Sequence, residues 1–114
     1  MLATHYHHLE DGSDIRQVQS DALISGWSER PLTVLLGDMN GVPNTPEIVM
    51  LAEAGMVDIS AEIGTQPTYT YYSTDPDHQI DYIWLSPDWL ASNFNIYQTT
   101  ASDHLPLAVT LTIP

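Results

Sequence analysis

The chain has 114 residues, room for one domain with a single core, and its 43% hydrophobic and 15% charged residues describe a globular rather than a disordered protein. Fifteen acidic residues face only Arg16 and Arg30, for a formal charge of −13, so the surface repels phosphate backbones and anionic lipid and suits work with bound cations. The absence of cysteine excludes disulfides and thiolate-bound zinc, no apolar run approaches membrane-span length, and no basic-then-apolar leader stands at residue 1.

The first element is short: Met1 to Tyr6 reads as the tail of a strand, ending in His5, His7 and His8. Asp11-Gly12 marks a turn. From Ser13 to about Trp27, Ile15, Val18, Ala22 and Leu23 recur at helical spacing, with Ser13 or Asp14 available as N-cap. The run LTVLL (32–36) has the continuous apolar, β-branched character of a strand covered on both faces, stopping at Gly37-Asp38. A second helix follows, with Thr45 to cap it, Pro46 at its first position, Glu47 at its positive end and Gly55 just beyond it. After a moderately apolar stretch, Met56 to Ile59, the sequence predicts strands at TYTYY (68–72), QIDYIWL (79–85) and Phe94 to Tyr97. The closing strand alternates Leu105, Leu107, Val109, Leu111 and Ile113 with smaller or polar residues. Strand, helix, strand, helix, then several strands predict a mixed α/β layer fold without repeats or linkers.

Several polar residues stand where a plain core does not call for them. In QIDYIWLS, Ile80, Tyr82 and Trp84 share one strand face, while Asp81 lies in line with Ile83 and Leu85. A carboxylate on an apolar face costs several kcal/mol or so unless a cation or donor pairs with it, although a hydrogen-bonded turn can also satisfy it. Asp38 and Asn40 follow a buried strand at its carboxyl end, where ligand sites of α/β sheets gather, although a bare D-x-N by itself favours an ordinary Asp/Asn/Gly turn. His5 and His8 lack a convincing zinc-partner spacing, and His78 lies in a polar turn between Asp77 and Gln79. His104 is different: it is fixed between Asp103 and the start of a core strand.

The order of these motifs is informative. TH after a short strand, then GDMN, IDYIWLSP and SDHLPL resembles the endonuclease/exonuclease/phosphatase superfamily, the DNase I-like fold of nucleases, abasic-site endonucleases, sphingomyelinases and inositol polyphosphate 5-phosphatases. RQVQ at 16–19 is similar to the same family, and the likeness runs from about Ala3 to the C-terminus. It implies part of a DNase I-like α/β sandwich, a mixed β-sheet with helices packed on one face, truncated at the N-terminus. Residues 1–114 are then a single incomplete domain, its C-terminal half. The resemblance implies that Asp103 lies beside a divalent metal, Mg²⁺ or Mn²⁺, and that His104 faces the scissile phosphate. Asp81 orients that histidine, Asp38 positions or deprotonates the attacking water, and Asn40 holds the water and the phosphate. His5 matches a position near the phosphate or leaving group. The pattern also departs from the family: Gln79 stands where Arg is common, and Ala3 where Asn often precedes Thr-His. A metal-binding glutamate and an asparagine belong to strands that precede the Thr-His strand in family members.

The implied activity is metal-dependent hydrolysis of a phosphodiester or phosphomonoester by in-line attack of water. The substrate class stays open among nucleic acid, phospholipid and small phosphate esters, and the implied partner is the missing N-terminal half of the domain. Two alternatives stand beside this reading: an inactive truncated fragment serving as a fold or interaction module, and an acidic cation-binding protein without phosphate chemistry.

Overall fold

A computed structural model describes the whole chain, Met1–Pro114. Its elements are β1 (Leu2–His5), α1 (Ser13–Trp27), β2 (Val34–Asp38), α2 (Pro46–Glu53), β3 (Val57–Asp58), α3 (Ile59–Ile63), β4 (Asp81–Leu85), β5 (Leu90–Ile96) and β6 (Leu107–Thr112). A four-stranded sheet runs β1-β2-β4-β3, and β5 pairs with β6 in a separate two-stranded sheet. β1 lies parallel to β2, and β4 lies antiparallel to β2 and β3, so the sheet is mixed, as the sequence predicts.

The alternation read in QIDYIWL sorts the core into two clusters. Tyr82 and Trp84 join Tyr6, Trp27, Leu35, Met39, Ile48, Leu51 and Met56 beneath α1 and α2. On the other face, Ile83 and Leu85 meet Ile59, with Val34, Leu36, Phe94, Leu107, Val109 and Leu111 packed around them. β4 is therefore covered on both faces, and the helices α1 and α2 keep to one of them. Burying its large side chains stabilises the fold by about 1.5–3 kcal/mol each.

Local expectations need correction at four places. In α1 the apolar residues Ile15 and Val18 are exposed, and the buried positions are Arg16, Ser20 and Trp27. The reason is a polar network: Arg16 Nε donates to Glu47 Oε2 at 3.1 Å, and Ser20 Oγ donates to the Glu47 carbonyl at 2.6 Å. Neither Ser13 nor Asp14 caps this helix. Gly12 holds the cap position, and the Ser13 hydroxyl turns instead to the Glu47 carboxylate at 3.1 and 3.2 Å.

Thr45 stands at the N-cap of α2 ahead of Pro46, but its hydroxyl donates to the Val42 carbonyl rather than capping the helix. β2 continues through Gly37 and Asp38 instead of stopping there. Finally, TYTYY is not a strand. Tyr71 makes only isolated bridges, to His78 and to His104, and the segment straps two loops together.

Candidate active site

The register of the sheet assembles most of the site. His5 pairs with Asp38 across β1 and β2, and Asp38 pairs with Asp81 across β2 and β4. The three side chains thus form one row on the same face as Leu36 and Ile83, at the end where the apolar rows stop. Two carboxylates directly opposite each other repel, so this row needs a cation or donor between them.

His104 supplies it. Its Nδ1 lies 2.7 Å from Asp81 Oδ2 and its Nε2 lies 3.7 Å from Asp38 Oδ2. The ring is placed by backbone bonds from the TYTYY strap: Leu105 N–H donates to the Thr70 carbonyl at 2.8 Å, and Ser73 N–H donates to the Asp103 carbonyl at 2.8 Å. Ser102 Oγ accepts the His104 N–H at 3.1 Å, tightening the turn. Asp81 has found the partner that its apolar strand face demands.

Asp38 is held as firmly. Asn40 N–H donates to Asp38 Oδ1 at 2.9 Å, and His5 Nε2 lies 3.5 Å from Oδ2. Asn40 has a positive φ of 47°, a conformation that asparagine tolerates better than most residues, and its Nδ2 donates to the Tyr6 carbonyl at 2.9 Å. One N–H of the side-chain amide and its oxygen remain for a ligand. Gly37 makes the approach of β1 possible: at its φ of +151° a Cβ would lie 1.9 Å from the Thr4 carbonyl oxygen.

Burial pushes the Asp81 carboxyl up, opposed by its hydrogen bonds with His104 and Thr70. For His104, burial acts against the charged ring, but the Asp81 hydrogen bond and the charges of Asp81, Asp38 and Asp103 outweigh it and raise its pKa above the ordinary value. A raised His104 presents an N–H at both ring nitrogens over more of the neutral range. Its Nε2 then offers a charged donor beside Asp38.

Asp38, Asp81 and His104 each offer a ligand atom within 4.8 Å of one another, a grouping able to hold a metal ion. Asp103, the metal position that the sequence pattern implies, lies outside that grouping. Its carboxylate is 65% exposed and reaches within 3.9 Å of His104 Nε2. All the implied residues (His5, Asp38, Asn40, Asp81, Asp103 and His104) therefore gather at one end of the sheet. Sequence reasoning missed Tyr71, whose ring centre lies 4.8 Å from that of His104, and the buried Arg16–Glu47 pair. The polar spacing Ser13, Arg16, Ser20 along α1 was the available signal for the pair.

The fold is shared with known proteins. Residues 3–104 match the model of the Endonuclease/Exonuclease/phosphatase family. The chain belongs to that family. Its fold is DNase I-like. Similar solved structures include an endonuclease/exonuclease/phosphatase of Bacteroides vulgatus, 22% identical with a TM-score of 0.83, the alignment covering 98% of this chain and 49% of that one. A mannosyl-6-phosphatase of Bacteroides thetaiotaomicron is 19% identical with a TM-score of 0.71, covering 97% and 50%. The catalytic domain of human nocturnin, with a bound sulfate anion, is 21% identical with a TM-score of 0.70, covering 96% and 46%. The chain spans about half the length of these structures. No curated protein matches its sequence. No helix is long and apolar enough to cross a membrane.

Proposed function

We infer that this chain carries the phosphate-facing half of a metal-dependent phosphoesterase, which hydrolyses a phosphodiester or phosphomonoester by in-line attack of water. One observation carries the reading: a single imidazole, His104, stands between Asp81 at 2.7 Å and Asp38 at 3.7 Å on a sheet end. Asp81 fixes the ring through Nδ1, leaving the Nε2 hydrogen to stabilise charge on a phosphoryl oxygen. Asp38 Oδ2 accepts the proton of the attacking water, and the free amide hydrogen of Asn40 orients the phosphate. His5 is 72% exposed at the rim, beside Asp38, where a leaving group departs.

The donors suit a hard divalent cation such as Mg²⁺ or Mn²⁺, which takes oxygen ligands and retains several waters. Asp81 is committed to His104, and Asp38 to Asn40 and the imidazoles. Asp103 accepts only a 3.4 Å contact from the Ser102 hydroxyl, which leaves it the carboxylate best able to hold the ion. When bound, the ion neutralises charge developing on the phosphoryl oxygens.

The test is hydrolysis of p-nitrophenyl phosphate and bis(p-nitrophenyl) phosphate in Mg²⁺ or Mn²⁺. Both the 114-residue chain and the chain joined to the N-terminal half of a family member are assayed. Turnover in the joined protein should fall by on the order of 10²-fold or more in Asp38→Asn and His104→Ala. Turnover indifferent to both changes would overturn the assignment. A joined protein with no turnover at all favours the inactive-module alternative.

A further inference from the structure

His104 borders two clefts. One, of about 340 Å³, runs from Asp38 and Asp81 along the apolar face past Ile83 and Leu107. The other, of about 470 Å³, reaches His104 past Asn40, and its wall carries His8, Glu10, Val42, Tyr71 and His78. The phosphate chemistry uses only Asn40 and His104 of this second cleft. The remaining side chains have no part in it.

Arg16 holds one wall. It is 4% exposed, and four of its N–H groups are committed: to the Glu47 carboxylate and to the carbonyls of His7, Leu9 and Glu10. That clamp fixes the loop bearing His8 and Glu10. His78 Nδ1 contacts the Asp77 carboxylate, which leaves Nε2 for a ligand, and the Tyr71 ring stands edge-on to it with centres 5.2 Å apart. The same Tyr71 ring adjoins His104, so the cleft begins where the phosphate group ends.

We propose that this cleft is the subsite for the alcohol part of the substrate, and that it selects a compact, polyhydroxylated phosphate ester over a polynucleotide. The proposal rests on the phosphoesterase reading. Its volume falls within the roughly 300–1,000 Å³ of small-molecule sites. A polynucleotide draws most of its affinity from cations at its phosphates, and the two cationic groups that line this cleft, Arg16 and His104, are already engaged. Arg16 is buried in its own bonds, and Arg30 precedes β2, at the end of that strand remote from Asp38. What the wall offers instead is a carboxylate residue, two imidazoles and an amide. Hydroxyl groups, which donate and accept, satisfy such a set.

The proposal is tested by titrating the 114-residue chain, in Mg²⁺, with inorganic phosphate, glucose 6-phosphate and a short single-stranded oligonucleotide, following amide and imidazole resonances. Glucose 6-phosphate should bind about tenfold tighter than inorganic phosphate, and it should shift Tyr71 and His78 as well as His104. Glu10→Gln and His78→Ala should each remove much of that gain and leave inorganic phosphate affinity as it was. The subsite is overturned if the sugar adds no affinity, if the gain survives both substitutions, or if the oligonucleotide binds tighter than the sugar phosphate. If none of the three ligands perturbs His104, the phosphoesterase reading itself fails and the subsite falls with it.

Discussion

His104 Nδ1 and Asp81 Oδ2 lie 2.7 Å apart across 23 residues of sequence, and this bond joins the loop before β6 to the first residue of β4. It raises the His104 pKa, together with the charges of Asp38 and Asp103, against the opposing effect of burial. A folded-state value above the unfolded one, about 6.5, means that the contribution of His104 protonation to stability is complete below that pH. The contribution is lost as pH rises through the folded value. Burial of Asp81, whose carboxyl is pushed up, works against the pair. In the metal-free chain, the imidazole resonances of His104 should titrate above about 6.5, and Asp81→Asn should bring the midpoint back toward it. A midpoint unmoved by that substitution would mean that Asp81 does not orient the ring.

Gly37 and Thr4 define a second constraint. The 1.9 Å approach of a Cβ at Gly37 to the Thr4 carbonyl leaves no space for alanine, and the φ of +151° strains any side chain there. Gly37→Ala should cost about 2 kcal/mol or more in urea unfolding, through strain and the displacement of β1. It should also separate His5 from Asp38, since their register depends on that close pairing. A variant as stable as the parent chain would show that β1 does not lie where the structure places it.

The Arg16–Glu47 pair makes a prediction of opposite character, because both partners are buried. Removing one leaves the other charge without its partner, so Arg16→Met or Glu47→Leu should each destabilise by about 3–5 kcal/mol. The double variant Arg16→Met/Glu47→Leu should recover part of the loss, since it leaves no isolated charge. A double-mutant cycle in urea measures the coupling, and strict additivity of the two losses would rule out the ion pair.

These residues also show what a single sequence carries. The two faces of β4 followed from alternation, because a strand buried on both sides must separate Tyr82 and Trp84 from Ile83 and Leu85. The site row followed from motif order, since Asp38 and Asp81 end neighbouring strands. The inner face of α1 did not follow. Periodicity ranks Ile15 and Val18 as core, but a buried carboxylate 31 residues away from Arg16 draws the polar side of the helix inward instead. The polar spacing of Ser13, Arg16 and Ser20 hints at a polar inner face, but nothing local to α1 names Glu47 as the partner. TYTYY failed for a related reason: its β-branched and aromatic composition suits a strand, yet its hydrogen bonds go to two different loops rather than to one partner strand.

The last prediction decides which carboxylate holds the metal. Asp38, Asp81 and His104 cluster closely enough to ligate an ion. Ligation there competes with the Asn40 and His104 hydrogen bonds that already occupy them, and it requires His104 to give up a proton that its surroundings favour. Asp103 is freer: 65% exposed, it has only the Ser102 hydroxyl at 3.4 Å and His104 Nε2 at 3.9 Å beside it. Mn²⁺ titration, followed by paramagnetic broadening, should therefore show affinity falling about tenfold in Asp103→Asn, and much less in Asp38→Asn. The broadening should be centred on the turn at 102–104. The reverse ranking, with Asp38→Asn or Asp81→Asn abolishing binding and Asp103→Asn harmless, would move the ion into the row between the strands. The proton acceptance proposed for Asp38 would then have to be assigned to another group.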